Sequence, residues 1–121
     1  MMKSFCNRFG RSLQYAWSGL VFVLRNEANM RIHLVLAAIA ILLAFAFKFS
    51  STEWSVLIVT IALVFTAEAF NTAIEVLTDM VSPEYHPKAR IVKDVSAAAV
   101  LITAFMAVIV AMLLYLPKFF L

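Results

Sequence analysis

The fold class predicted for this chain is a small bundle of membrane-spanning helices, and three observations predict it. The first is composition: of 121 residues, 64% are hydrophobic and 14% charged, with a mean hydropathy of +0.97. A soluble domain of that length has too much surface for its volume to hide so much apolar area. The second is pattern. The apolar residues fall in continuous runs broken by only 2 Gly and 3 Pro, which argues against the alternation of a β-barrel and leaves helices to satisfy the backbone in lipid. The third is that the cations collect at the ends of those runs, as in spans that end at a headgroup layer. The whole chain, 1–121, reads as one all-α integral membrane domain.

Residues 4–25 place Phe5, Phe9, Leu13, Trp17 and Leu20 on one side and Arg8, Arg11 and Ser18 on others. This predicts an N-terminal amphipathic surface helix lying in the headgroup plane. Lys3, Arg8 and Arg11 ahead of Tyr15–Leu24 look like the start of a secretory signal. The chain runs on into Arg25-Asn26-Glu27 without a small-residue cleavage site, so this segment is expected to be retained. The first span, about 30–48, is the uncharged run Leu34–Phe47 lengthened by Met30–Ile32 and closed by Lys48, whose stem can snorkel. A polar turn at Ser50–Glu53 leads to a second span, about 54–81, with Trp54 as an interfacial anchor. Ser82-Pro83 ends it, because a residue before proline is pushed out of the α region. The third span, about 91–117, includes 23 residues from Val95 to Pro117 without a charge, closed at an interface by Tyr115 and Lys118.

Counting Lys and Arg orients these spans. Lys3, Arg8, Arg11, Arg25, Arg31, Lys88, Arg90 and Lys93 lie on one side, and Lys48 and Lys118 on the other. Eight against two puts the N-terminus and the 82–94 loop in the cytoplasm and the C-terminus outside. The net charge of +3 is thus explained by a membrane surface, and no interleaved basic and aromatic platform points to nucleic acid. Cys6, the single cysteine, has no ligand partner and no disulfide partner.

Within the second span, Glu68, Asn71, Glu75 and Asp79 recur at i, i+3, i+7 and i+11. At about 100° per residue they fall within an arc of roughly 80° on one helix face. Acidic groups in an apolar span are costly, and they point to function by default. Three carboxylates and a carboxamide on one stripe can hold a divalent cation and leave a base to spare. Two more polar clusters are expected at the same cytoplasmic interface: Arg25-Asn26-Glu27 with Arg31 and His33, and Glu84-Tyr85-His86 with Lys93-Asp94. Carboxylates from two segments plus a lysine suit Mg²⁺ and phosphate. No phosphate-binding glycine loop of the soluble nucleotide folds is present. Plainer readings stand beside these: Asn71 as interhelical glue, Asp79 and Glu84 as solvated helix-end residues, and His33 as an ordinary interfacial residue.

The segments NEANMRIH, EAFNTAIEVLTD, EYHPKARIVKD and SAAAVLI, from Asn26 to Ile102, resemble the bacterial diacylglycerol kinase and undecaprenol kinase family of small integral-membrane lipid kinases. The combination of E-x-x-N-x-x-x-E-x-x-x-D with H-x(6)-K-D is specific, and the resemblance runs from about Arg8 to the end of the third span. It implies a homotrimeric helical bundle with active sites shared between neighbours, ATP with Mg²⁺ as phosphoryl donor, and a lipid alcohol as acceptor, at the bacterial cytoplasmic (inner) membrane. By motif position it implies Glu68 as general base, with Asn71 orienting Glu68 or the acceptor hydroxyl, and Glu27 and Glu75 as metal-holding carboxylates that also face nucleotide. Arg8, Tyr15, Asp79, Glu84, Tyr85, His86, Lys93 and Asp94 fall among its nucleotide contacts. Arg8, Arg31, Glu68 and Ala97 fall toward the lipid.

Diacylglycerol-specific members carry a serine where this chain has Ala97, beside Ser96, and place a tryptophan late in the third span, where this chain has none. Arg31-Ile32-His33, His86-Pro87 and Leu116-Pro117-Lys118 resemble the undecaprenol branch instead. The expected reaction is therefore phosphorylation of undecaprenol to undecaprenyl phosphate, with diacylglycerol kinase activity making phosphatidic acid as the alternative. A non-enzyme reading, a small helical transporter subunit or membrane regulator using buried acids, accounts for Glu68 and Glu75. It leaves the clustering of His86, Lys93 and Asp94 unexplained.

Overall fold

A computed structural model of the chain describes residues 2–121, with side chains from Ser4 onward, so the Lys3 side chain of the charge count lies outside the described residues. Four helices account for nearly all of it: α1 (Met2–Asn26), α2 (Ala28–Ala46), α3 (Ser51–Val81) and α4 (Pro87–Phe120). The last three are each long and apolar enough to cross a membrane. At about 1.5 Å per residue, α3 and α4 are about 46 and 51 Å long, so both outrun a hydrocarbon layer of about 30 Å. They pack against each other along their length, α2 lies along α3, and α1 meets α2 and α3.

The connections are short and chemically defined. Between α1 and α2 the chain turns at one residue, Glu27, with φ −100° and ψ 115°. Arg31 holds this corner: its Nη1 donates to the carbonyls of Leu24 at 3.3 Å and Arg25 at 2.8 Å, satisfying the end of α1. The end of α2 is a Schellman motif, in which Lys48 N donates to Phe45 O and Phe49 N to Ala44 O, both at 3.1 Å. Lys48 sits at φ 51°, the left-handed region where glycine is usual.

Two expectations are corrected here. Ser50–Glu53 is not a turn: α3 begins at Ser51, and Ser50 and Glu53 form a capping box, with Ser50 N donating to Glu53 Oε2 at 2.7 Å and Glu53 N to Ser50 Oγ at 3.3 Å. Tyr115 is not a belt residue exposed at the interface but is buried, donating its hydroxyl to Ala40 O at 2.6 Å. α4 runs on past Pro117 to Phe120. The proline forfeits one bond, the one a backbone N–H there would donate to the Leu113 carbonyl.

Ala44, Phe49, Leu57 and Tyr115 form a core at this end of the bundle, with Phe47 and Trp54 packed on it. Lys118 closes the same end, pairing with Glu53 at 2.8 Å over the Phe49 ring. The opposite, polar end holds the α1–α2 corner, the end of α3 at Val81 and the start of α4. There His86 caps α4 by accepting from Lys88 N at 3.1 Å, and Pro87 takes the first helical position.

Candidate active site

The α3 stripe faces the bundle where it is most buried. Glu68 is 1% exposed, and neither carboxylate oxygen has a hydrogen-bond partner among the described residues. Leaving such a group unsatisfied costs about 1–3 kcal/mol, so packing alone gives no reason for it. The titratable groups that act on it electrostatically come from three places: His33 on α2, Glu27 at the α1–α2 corner and Glu75 two turns along α3. Glu27 occupies the N-cap position of α2 yet spends no side-chain oxygen on capping, so its carboxylate is available to the cluster.

Asn71, also buried, does not bond to Glu68. Its Nδ2 donates to Glu75 Oε1 at 3.3 Å, and its Oδ1 accepts from Ser96 Oγ of α4 at 2.7 Å. Ser96 is the residue that sequence reasoning undervalued, noted only as the neighbour of Ala97. The signal was a lone serine at the head of an uncharged run, and the structure turns that serine inward and leaves Ala97 exposed.

One to two turns nearer the helix ends, a polar cleft of about 230 Å³ opens between the end of α3, the 82–86 connection and the start of α4. Asp79, Glu84, Tyr85, His86 and Lys93 all line it, so five of the nucleotide candidates are brought together. Thr78 and Arg90 line it too. Asp79 and Lys93 are ion-paired across it. Capping engages His86 Nδ1 and leaves Nε2 uncommitted. Asp94 faces Arg90 instead, both its oxygens within 3.1–3.2 Å of Nε on the exposed side of α4. Arg8 and Tyr15, exposed on α1, do not line the cleft. Arg31 is engaged with α1 carbonyls.

No group of three or more His, Cys, Asp or Glu side chains among the described residues converges tightly enough to hold a metal ion alone. The carboxylates of Glu27, which spends nothing on capping, and Glu75 stand near Glu68 as oxygen donors. That set fits a hard cation such as Mg²⁺, which takes one or two protein carboxylates and completes its shell with water and phosphate oxygens. An apolar groove of about 360 Å³ runs between α2, α3 and α4 from His33 near the acidic cluster to Tyr115 at the far end.

Comparison with known proteins adds a second line. Residues 14–115 match the prokaryotic diacylglycerol kinase family. The chain is 34% identical over 112 residues to an undecaprenol kinase of Bacillus subtilis, covering 93% of this chain and 91% of that protein. It is 38% identical over 107 residues to a diacylglycerol kinase of Synechocystis, covering 88% of this chain and 61% of that longer protein. With a diacylglycerol kinase of Escherichia coli it shares 34% identity over 102 residues, 84% of each.

Proposed function

This chain belongs to the prokaryotic diacylglycerol kinase family and is a membrane lipid kinase; from that premise we propose that it phosphorylates undecaprenol. ATP is the phosphoryl donor, as the kinase family implies. The observation that carries the site assignment is Glu68, a buried carboxylate with two unpartnered oxygens inside an apolar helix. Measured along α3 from Trp54 at about 1.5 Å per residue, Glu68 lies about 21 Å away, Glu75 about 31 Å and Asp79 about 37 Å, against a hydrocarbon layer of about 30 Å. The base then sits about 9 Å below the edge of the layer, a depth to which a lipid hydroxyl must descend. Glu75, Asp79 and Lys93 sit at its edge, where a water-borne nucleotide arrives.

Chemically, Glu68 takes the proton of the acceptor hydroxyl as its oxygen bonds to the γ-phosphorus of ATP and the bond to the departing ADP oxygen breaks. Glu27 and Glu75 would hold Mg²⁺, which would supply charge neutralisation to the phosphates. Asp79, Glu84, Tyr85, His86 and Lys93 receive the nucleotide in the polar cleft, with Asp94 at its rim, and Asn71 orients Glu75. The apolar groove offers the acceptor's hydrocarbon chain a path along the bundle. Arg8, Tyr15 and Arg31 act from the surface side. Arg8 and Tyr15 lie outside the cleft of this chain, and in a homotrimer with shared sites they would serve the cleft of a neighbour. α1 lies in the headgroup plane, with its cations and the active site on the cytoplasmic side of the inner membrane.

For the acceptor, the support is the exposed methyl of Ala97, which offers no hydrogen bond to a glycerol ester, together with the near full-length similarity to an undecaprenol kinase. Diacylglycerol remains the second reading, favoured by the 38% identity with a diacylglycerol kinase. Side-by-side kinetics in mixed micelles at equal surface fraction decide between them. The expected result is a higher kcat/KM for undecaprenol with measurable turnover of diacylglycerol, since an apolar contact discriminates only weakly. A clear preference for diacylglycerol overturns the acceptor assignment.

A further inference from the structure

Ser96 links the nucleotide-side carboxylate to the far helix through a bond that runs in one direction only. The serine is 6% exposed, and its hydroxyl lies 2.7 Å from Asn71 Oδ1, while Asn71 Nδ2 lies 3.3 Å from Glu75 Oε1. A carboxylate only accepts, so it must face the amide NH₂; the amide oxygen then faces Ser96, and only a donor can satisfy it there. The serine has an alternative acceptor, Lys93 O at 3.0 Å. Its one proton cannot serve both, and giving it to Lys93 would leave two acceptor oxygens confronting each other at 2.7 Å. The amide torsion of asparagine is broad and nearly two-fold by itself; the Glu75 carboxylate selects the flip, and the serine hydroxyl, donating into the amide oxygen, fixes the amide in place.

We propose that Ser96 is a positioning residue of this kinase: acting through Asn71, it holds Glu75 in the orientation that serves the phosphate and its cation. It touches no reacting atom itself. The exposed Ala97 beside it offers no hydroxyl to replace it. The inference rests on the assignment of Glu75 made above, and the experiment separates the two.

The chain has four asparagines, Asn7, Asn26, Asn29 and Asn71, so selective ¹⁵N labelling gives a simple side-chain amide spectrum in detergent micelles. The Asn71 pair is identified by its loss in Asn71→Asp. In Ser96→Ala the Asn71 pair shifts and exchanges with solvent about fivefold faster or more, the size of one net hydrogen bond. The Mg²⁺ midpoint at fixed ATP rises about 5- to 10-fold, while KM for the lipid stays put, and Ser96→Thr, which keeps the donor, restores both readings. Ser96→Cys keeps the shape with a weak donor and carries the same test if Ser96→Ala gives no folded protein. Unmoved Asn71 signals, or a lipid KM that rises in step with the Mg²⁺ midpoint, overturn the inference. Moved Asn71 signals with a Mg²⁺ midpoint unchanged in both Ser96→Ala and Glu75→Gln overturn instead the metal role of Glu75 on which it rests.

Discussion

Replacing Glu68 should make the protein more stable and much less active, and the two effects separate by choice of substituent. Both Glu68 oxygens are buried without a partner among the described residues, so the folded state carries a desolvation cost of about 1–3 kcal/mol. Glu68→Met, unbranched and close in length, removes that polar group and should recover about 1–3 kcal/mol against unfolding, with little lost in packing. Glu68→Gln keeps a buried polar group and should recover little of it. Both remove the base, and general-base catalysis contributes about 10²–10⁴ in rate, so kcat should fall by that factor in each. The assay pairs SDS-driven unfolding in mixed micelles with steady-state kinetics at saturating ATP and lipid. Nucleotide affinity should change little in either variant, because the lost interaction forms in the transition state. A Met variant less stable than the parent would show that Glu68 has a structural partner, and a Gln variant within tenfold of parental kcat would end its assignment as base.

Two further outcomes are expected. If Glu27 and Glu75 hold the cation as proposed, Glu27→Gln and Glu75→Gln should each raise the Mg²⁺ midpoint and weaken nucleotide affinity together, since each would remove an anionic oxygen from it; a Mg²⁺ titration at fixed ATP with unchanged midpoints in both rules out the metal roles. Lys48→Gly should stabilise the fold by about 1 kcal/mol with kcat unchanged, because it relieves a left-handed backbone at φ 51°, and equal or lower resistance to SDS would contradict that account of the α2 end.

Features that depend on composition and period alone were readable from the chain. A strongly apolar stretch long enough to cross lipid has few alternatives in a short hydrophobic chain, so three spans follow whatever their packing. The helical repeat likewise puts Glu68, Asn71, Glu75 and Asp79 on one face before any neighbour is known. Ser82-Pro83 ends α3 by local sterics. The Ser50/Glu53 capping box was within reach of the same local rules, since serine followed three residues later by glutamate is its signature. There the polar residues were assigned to a turn when they in fact start the helix.

Tertiary structure decided what each polar atom meets. Tyr115 looked like an interfacial ring because sequence shows its distance from a span's end; it is buried against Ala44, Phe49 and Leu57, and its hydroxyl is satisfied by the Ala40 carbonyl on α2, far away in the chain. The family resemblance gave Asn71 the orienting of Glu68 or of the acceptor hydroxyl, while the bonds it makes are to Ser96 across the α3–α4 interface through its oxygen and to Glu75 through its nitrogen. Asp79 and Lys93 form an ion pair, and Asp94, adjacent to Lys93, turns to Arg90 on its own helix. Helix periodicity fixes an azimuth on one cylinder. Which donor stands opposite depends on how two cylinders are rotated and slid against each other, and that is settled by the summed packing of many apolar side chains, none of which carries the information alone.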